Sequence, residues 1–316
     1  MKKIIILSGN RKWKTSIAIK DKKYRVCYEY LHSIARKNDI EIFHASYKWC
    51  SSDKTFFKYT WTYKNKKWQR ARGIKPDLIY DKTNFKAGVH YFKKELEKNF
   101  KIINDPEFTL LADNKFYTSL IFPDFFKRYY KIFNKKDLLE ISKKFKSKKI
   151  VLKPARGSGG DEIKIISKNN LSRFPSHYIK NGLIAQEFID SSQGITNIIK
   201  GVHDLRLVFI NEKIIYAYIR TPKRGSLLSN IAQGGKMTTI DPEKIPANVK
   251  PIINKIQDIF QSYTPRIFTI DLIFDKKQKP WIVELNTMPG IFFYPSQKKW
   301  MDKFYLELIK IFKENL

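Results

Sequence analysis

Acid is scarce in this chain. Its 316 residues hold 30 Asp and Glu against 62 Lys and Arg, a formal net charge of +32. Cysteine is nearly absent: Cys27 and Cys50 exclude a disulfide framework and have no metal-ligand spacing. Long apolar runs are missing too. The N-terminus Met1-Lys-Lys-Ile-Ile-Ile-Leu7 opens like a secretion signal, but its apolar run is too short and no small-residue cleavage site follows. No other segment approaches membrane-spanning length, so a cytoplasmic protein without a membrane partner is expected. There is no internal repeat and no recognisable nucleic-acid-binding motif. The lysines are spread along the chain and accompany many Ile, Asn, Phe and Tyr. That pattern fits the bias of an AT-rich coding sequence better than a dedicated basic arm. An acidic or polyanionic partner is the next reading, and nucleic acid is the least favoured.

What is present supports a folded chain. Hydrophobic residues make up 42%, and the length suits two domains or one domain with a lid. The first third alternates strand and helix. Strands are expected at Ile4–Leu7, Asp39–Ala45, Pro76–Tyr80 and Lys101–Asn104, with helices at Tyr24–Lys37 and Val89–Asn99. This predicts a small parallel α/β sheet, Rossmann-like in kind. Ser8-Gly9-Asn10 is only a turn, because the glycine-rich dinucleotide fingerprint is missing after Leu7. The segment Ser46–Gly73 is dense in aromatic and basic residues; it reads as a hairpin or insertion whose rings serve packing before recognition.

After Thr109 the pattern becomes α+β. Helices are expected at Leu110–Phe122, Lys136–Phe145, Asn248–Tyr263 and Lys299–Lys313. Strands are expected at Lys149–Lys153, Glu162–Ile166, Leu183–Phe188, Asp204–Ile210 and Lys213–Arg220, with a tight turn at Asn211-Glu212. Near the C-terminus, Phe268–Phe274 and Trp281–Asn286 read as two strands around the turn Asp275–Pro280. Alternation puts Glu284 and Asn286 on one face, and in a hairpin Asp271 joins them. Oxygen donors in an apolar sheet suit a hard divalent cation such as Mg²⁺; the competing reading is a set of polar strand ends facing solvent.

Three further motifs bear on nucleotide chemistry. In Lys149–Asp161 a strand delivers Lys153 into the loop Gly157-Ser158-Gly159-Gly160. Such a loop lets backbone N–H groups approach phosphates, although a flexible hairpin turn would look alike. It lacks the Gly-Lys-Ser/Thr ending of a P-loop. Leu183–Asp190 is an apolar strand ending in polar groups, able to read an adenine edge. Arg206 and Arg220, on strands of one hairpin, can converge on phosphate or carboxylate oxygens, with Asp204 beside them. The stretch Ser229–Lys236 adds a glycine turn flanked by donors.

Taken in this order, the motifs resemble the ATP-grasp superfamily, on the branch of glutathione synthetase and the ligases that add glutamate to a ribosomal protein. The resemblance spans roughly Leu110 to Gly290. It implies an α+β ATP-grasp fold behind a pre-grasp domain, with units at 1–108, 109–190 and 191–316, and a carboxylate–amine ligase working through an acyl phosphate. It implies ATP contacts from Lys115, Lys153 and the lid loop Gly157–Gly160, and adenine held by Gln186, Glu187 and Ile189. Asp190 is a weaker ribose candidate. Arg206, Arg220 and Lys153 would be catalytic, gripping the γ-phosphate and the acyl phosphate. Asp271, Glu284 and Asn286 would bind two Mg²⁺ ions, or Mn²⁺ in their place, with Glu284 bridging. Asn230, Gly234 and Gly235 would line the acceptor side. Two departures stand out: Ser191–His203 is long, and Gln233 replaces an arginine that often precedes the paired glycines. The implied partners are a small-molecule or peptide carboxylate and an amine, an acidic peptide among them. Rival readings are a kinase of the inositol-phosphate type and a binding protein with an idle ATP fold.

Overall fold

The structure is a computed structural model that describes residues 1–316 apart from 10, 11, 14–17, 84, 85, 158–161, 180–182 and 230–233. Its backbone forms three sheets. The first holds β1 (Lys2–Ser8), β2 (Ile40–Ser46), β3 (Phe57–Lys64), β4 (Lys67–Ile74), β5 (Leu78–Lys82) and β6 (Ile102–Ile103), in the order β4-β3-β2-β1-β5-β6. The strands β2, β1, β5 and β6 run parallel. β1 is central, which explains its unbroken apolar run: Ile4 to Leu7 are all buried. The helix α1 (Lys22–Arg36) starts at Asp21, whose carboxylate accepts the backbone N–H groups of Lys23 and Tyr24. α2 (Ala87–Leu96) completes the alternation expected from sequence. The aromatic segment is a hairpin, β3–β4, added antiparallel to the β2 edge.

One expected helix is two. The stretch 110–122 divides into α3 (Pro106–Ala112) and α4 (Lys115–Ile121). Asn114 makes the break: its side-chain oxygen accepts the N–H groups of Phe116 and Tyr117, so a new helix begins there. The second sheet follows, from β7 (Tyr129–Ile132), β8 (Lys149–Pro154), β9 (Lys164–Ser167) and β10 (Leu183–Glu187), in the order β7-β10-β8-β9, with α5 (Lys135–Lys144) packed beside it. β7 is short and half-buried, and its period was not visible in the sequence.

The third sheet contains β11 (Asp204–Ile210), β12 (Lys213–Thr221), β13 (Lys236–Ile240), β14 (Ile267–Phe274) and β15 (Pro280–Asn286), in the order β13-β12-β11-β14-β15. All neighbours are antiparallel. Asn211, with φ of 51°, makes the tight turn between β11 and β12. α6 (Lys250–Ile259) buries Ile252 and Ile256 against this sheet. The terminal helix α7 (Lys298–Glu314) turns Phe304, Leu308 and Phe312 into a core shared by the first sheet and the face of the third opposite α6. Among the described residues, no helix is long and apolar enough to cross a membrane.

Candidate active site

Register builds the centre of the site. Arg206 on β11 lies opposite Asp271 on β14, and Asp271 lies opposite Glu284 on β15. Two residues along the strands, Asp204 pairs with Arg220 of β12. Alternation then places Arg206, Arg220, Asp204, Asp271 and Glu284 on one face. Arg206 grips both oxygens of Asp271. Arg220 reaches Asp271 at 2.6 Å and holds Asp204 through two bonds of 2.6 and 2.8 Å. Burial alone would raise the Asp271 carboxyl, yet the two guanidinium groups hold it well below the usual range. Asp204 goes the other way: burial raises it to about 6, and Arg220 offsets only part of that rise.

The second sheet faces this row across a cleft lined by both, with Lys153 and Gln186 on one wall and Asp204, Arg220, Asp271 and Glu284 on the other. Lys153 is the penultimate residue of β8 and is almost fully buried. Its amine donates to the Tyr129 hydroxyl at 2.5 Å and to the Val283 carbonyl at 3.2 Å, so it joins the two sheets. Burial, followed by the nearby charge of Lys115, lowers its pKa to about 7. Lys115 opens α4. It forms an ion pair with Glu284 at 3.0 Å and donates to the Gly157 carbonyl at 2.7 Å. Gly157 has φ of 122°, a conformation that L side chains rarely adopt.

Along β10 and the residues after it the side chains divide. Gln186 and Ile189 line the cleft. The side-chain amide oxygen of Gln186 accepts a bond from the Tyr129 hydroxyl at 2.9 Å. Glu187 points elsewhere, accepting the backbone N–H groups of Lys146 and Ser147. Asp190 is half exposed and pairs with Lys276 at 3.0 Å. Gly234 and Gly235 lead into β13. Ser158, Gly159, Gly160 and Asn230 lie outside the described residues.

Among the described residues, no three His, Cys, Asp or Glu converge as a cluster. Asp271 and Glu284 lie opposite each other, Asp204 on the same face is held by Arg220, and Asn286 follows Glu284 on the same strand face. Its amide oxygen accepts the Met288 N–H at 2.8 Å. Oxygen donors with few carboxylates suit Mg²⁺, which keeps waters and takes ligands from substrate phosphates. The residues therefore fit the ion, with phosphates as its remaining partners.

Sequence reasoning missed several contributors. Tyr129 ties Lys153 to Gln186. Tyr218 lies opposite Arg206. Thr287, just after Asn286, donates its N–H and hydroxyl to Asp113 at 2.7 and 2.8 Å, while buried Asn104 donates to its carbonyl at 2.6 Å. Lys82, ending β5, donates to the Pro289 carbonyl at 2.6 Å, so the C-terminal end of the first sheet borders the site.

Residues 127–299 match the family of RimK-like ATP-grasp domains, and the chain belongs to that family. ATP-grasp proteins work with ATP and a divalent metal, typically Mg²⁺. No curated protein matches the chain in sequence. Solved structures match almost end to end. The D-alanyl-alanine synthetase A of Vibrio cholerae aligns over 99% of this chain and 98% of its own, with TM-score 0.65 and 12% identity. A RimK-domain ATP-grasp protein of Sphaerobacter thermophilus aligns over 98% and 99%, with TM-score 0.63 and 10% identity. A RiPP-associated ATP-grasp ligase of Chryseobacterium gregarium, solved with ADP and a leader and core peptide, aligns over 98% and 95%, with TM-score 0.60 and 12% identity. At these identities the likeness concerns the fold.

Proposed function

We propose that this chain is an ADP-forming carboxylate–amine ligase working through an acyl phosphate. One observation carries the reading: the cations suited to phosphate pair directly with the carboxylates suited to a metal. Lys115 rests on Glu284, and Arg206 and Arg220 rest on Asp271. Buried charges require such partners. A nucleotide with its metal would exchange them, phosphates going to the cations and the metal to Asp271, Glu284 and Asn286.

The chemistry follows from charge. A carboxylate is a poor electrophile until one oxygen is phosphorylated. In the first step that oxygen attacks the γ-phosphorus, and the bond to ADP breaks. In the second, an amine attacks the acyl carbon, phosphate leaves with the bonding electrons, and the amine loses a proton to solvent or phosphate. Lys115 and Lys153 neutralise the transferring oxygens, and Arg206 and Arg220 follow the charge onto the acyl phosphate. Bound Mg²⁺ would supply further neutralisation of phosphate charge. Gln186 and the backbone of Ile189 would hold adenine, with Asp190 near the ribose. Gly234, Gly235 and Asn230 would serve the acceptor. The proposed units are 1–108, 109–190 and 191–316, with two Mg²⁺ ions, or Mn²⁺ in their place. The structural neighbours act on small molecules or carry peptides, and either substrate class is compatible with this site.

The test is ATP turnover with Mg²⁺ over a panel of carboxylates in hydroxylamine. Hydroxamate formed together with ADP identifies an acyl phosphate and its carboxylate. ADP with a phosphorylated polyol and no hydroxamate would replace this reading with a kinase.

A further inference from the structure

The first sheet has a feature that the nucleotide chemistry leaves unused. Its parallel strands run in the order β2-β1-β5-β6, so the chain leaves β1 toward one side and β5 toward the other. In open α/β sheets, ligands enter the crevice outside the carboxyl ends of the strands at such a switch point. Ser8 ends β1 and Lys82 ends β5, and the two lie opposite each other in parallel register.

Lys82 carries an unmatched charge there. Its ammonium donates to the Pro289 carbonyl at 2.6 Å and lies 5.3 Å from the centre of the Tyr80 ring. Among the described residues, no carboxylate pairs with it. The adjacent carboxylate, Asp81, is committed elsewhere. One of its oxygens accepts the Thr83 N–H and hydroxyl, and the other takes the buried Lys93 amine at 2.7 Å. Lys82 keeps part of its surface open, yet burial lowers its pKa to about 8, with Asp81 opposing the fall. A cation in this setting favours a ligand that brings a negative charge.

The crevice leads to the reacting groups. Pro289 and Gly290 lie shortly after Asn286 in the chain. A Cβ at Gly290 would come within 3.3 Å of the Tyr24 hydroxyl, so Tyr24 of α1 closes directly on this corner. Burial and then the Tyr218 phenol raise the Tyr24 pKa, and Arg206 opposes them, so Tyr24 stands near both. Arg206 in turn aims one nitrogen at the Tyr218 hydroxyl, 3.5 Å away. Lys82, Tyr24, Tyr218 and Arg206 thus succeed one another from the first sheet to the row that holds Asp271.

We infer that Lys82 is a specificity-determining residue that holds a second carboxylate of the substrate, so that the acid activated at Arg206 and Arg220 is a dicarboxylate. A phosphate ester fits less well, because a dianion asks for more than one ammonium, whereas a carboxylate matches its charge. The inference rests on the ligase reading and adds the class of acid.

The experiment measures kcat/KM for hydroxamate formation with ATP, Mg²⁺ and hydroxylamine, using acids paired with their monoamides. The pairs are L-glutamate with L-glutamine, L-aspartate with L-asparagine, glutarate with glutaramate, and succinate with succinamate. In at least one pair the dicarboxylate should lead by about tenfold or more, the scale of a hydrogen bond between charged groups. Lys82→Gln should erase that lead through KM more than through kcat. Lys82→Glu should reverse it, and Lys82→Arg should restore much of it. If Lys82→Glu loses its far-ultraviolet dichroism, the other two variants carry the test, since a glutamine amide can still donate to Pro289. Monoamides used as well as their dicarboxylates in every pair, or a lead that survives Lys82→Gln, would overturn the inference and leave the ligase reading standing. Hydroxamate only from acids outside these pairs would do the same. Hydroxamate from no acid at all would remove both.

Discussion

Lys115 and Glu284 meet at 3.0 Å, and the same lysine amine holds the Gly157 carbonyl at 2.7 Å. A single side chain thus links Gly157, just after β8, to the strand that presents Glu284. Nucleotide entry must redirect this amine from carboxylate to phosphate. Glu284→Gln should keep the fold, because an amide oxygen can still accept from Lys115. Turnover should fall by about two orders of magnitude or more, as expected for loss of a metal-directed charge. Activity with Mg²⁺ near that of the unmodified chain would contradict the assignment.

Lys153 gives a pH signature. Burial and the Lys115 charge bring its pKa to about 7 from an ordinary 10.5. Between these values the unfolded chain binds the proton and the folded chain does not. Stability of the nucleotide-free protein therefore gains from this group as pH rises through that window. Phosphate oxygens favour the ammonium form, so ADP binding at pH 8 should take up about one proton. Calorimetry in two buffers of different ionisation enthalpy measures that number. Lys153→Met should abolish the uptake; an unchanged value would assign the proton elsewhere.

Arg220 serves two carboxylates, Asp204 and Asp271, in a buried setting. Arg220→Met leaves both short of a cation, and removing one member of such a network costs ~3–5 kcal/mol. Arg220→Lys restores charge but loses the fork that spans both oxygens of Asp204. We therefore expect the lysine variant to recover melting temperature better than kcat. Full recovery of kcat would show that charge alone suffices.

Much of this site was readable from strand periodicity. Glu284 and Asn286 are two apart on one strand, and the turn at Asp275–Pro280 folds Asp271 beside them. The Asn211-Glu212 turn likewise fixed the partnership of the strands bearing Arg206 and Arg220. The rest depended on contacts that no local pattern encodes. β7 has four residues, too few for a period, so Tyr129 went unseen although it bonds both Lys153 and Gln186. Glu187 resembled a ligand contact, but the adjacent position on a strand faces the other way, toward backbone donors at Lys146 and Ser147. Asn114 carried a readable cap signal inside an apolar stripe, and the stripe obscured it.

Asp113 provides the last prediction. Its two oxygens accept the N–H and hydroxyl of Thr287, the residue after Asn286. Burial raises its carboxyl pKa, and those two bonds offset part of the rise. Asp113→Ala would leave two buried donors without a partner, a loss of about 1–3 kcal/mol for each group. Asn104 would still hold the Thr287 carbonyl, so the segment should loosen rather than detach. The consequence belongs to Asn286, whose amide oxygen is placed by this corner. Half-saturation by Mg²⁺ should rise severalfold at constant ATP, while ADP affinity measured without metal stays near that of the unmodified chain. Asp113→Asn, which keeps one acceptor oxygen, should fall between the two. A uniform loss of ADP affinity and Mg²⁺ response in both variants would mean that Asp113 supports the fold at large rather than the position of Asn286.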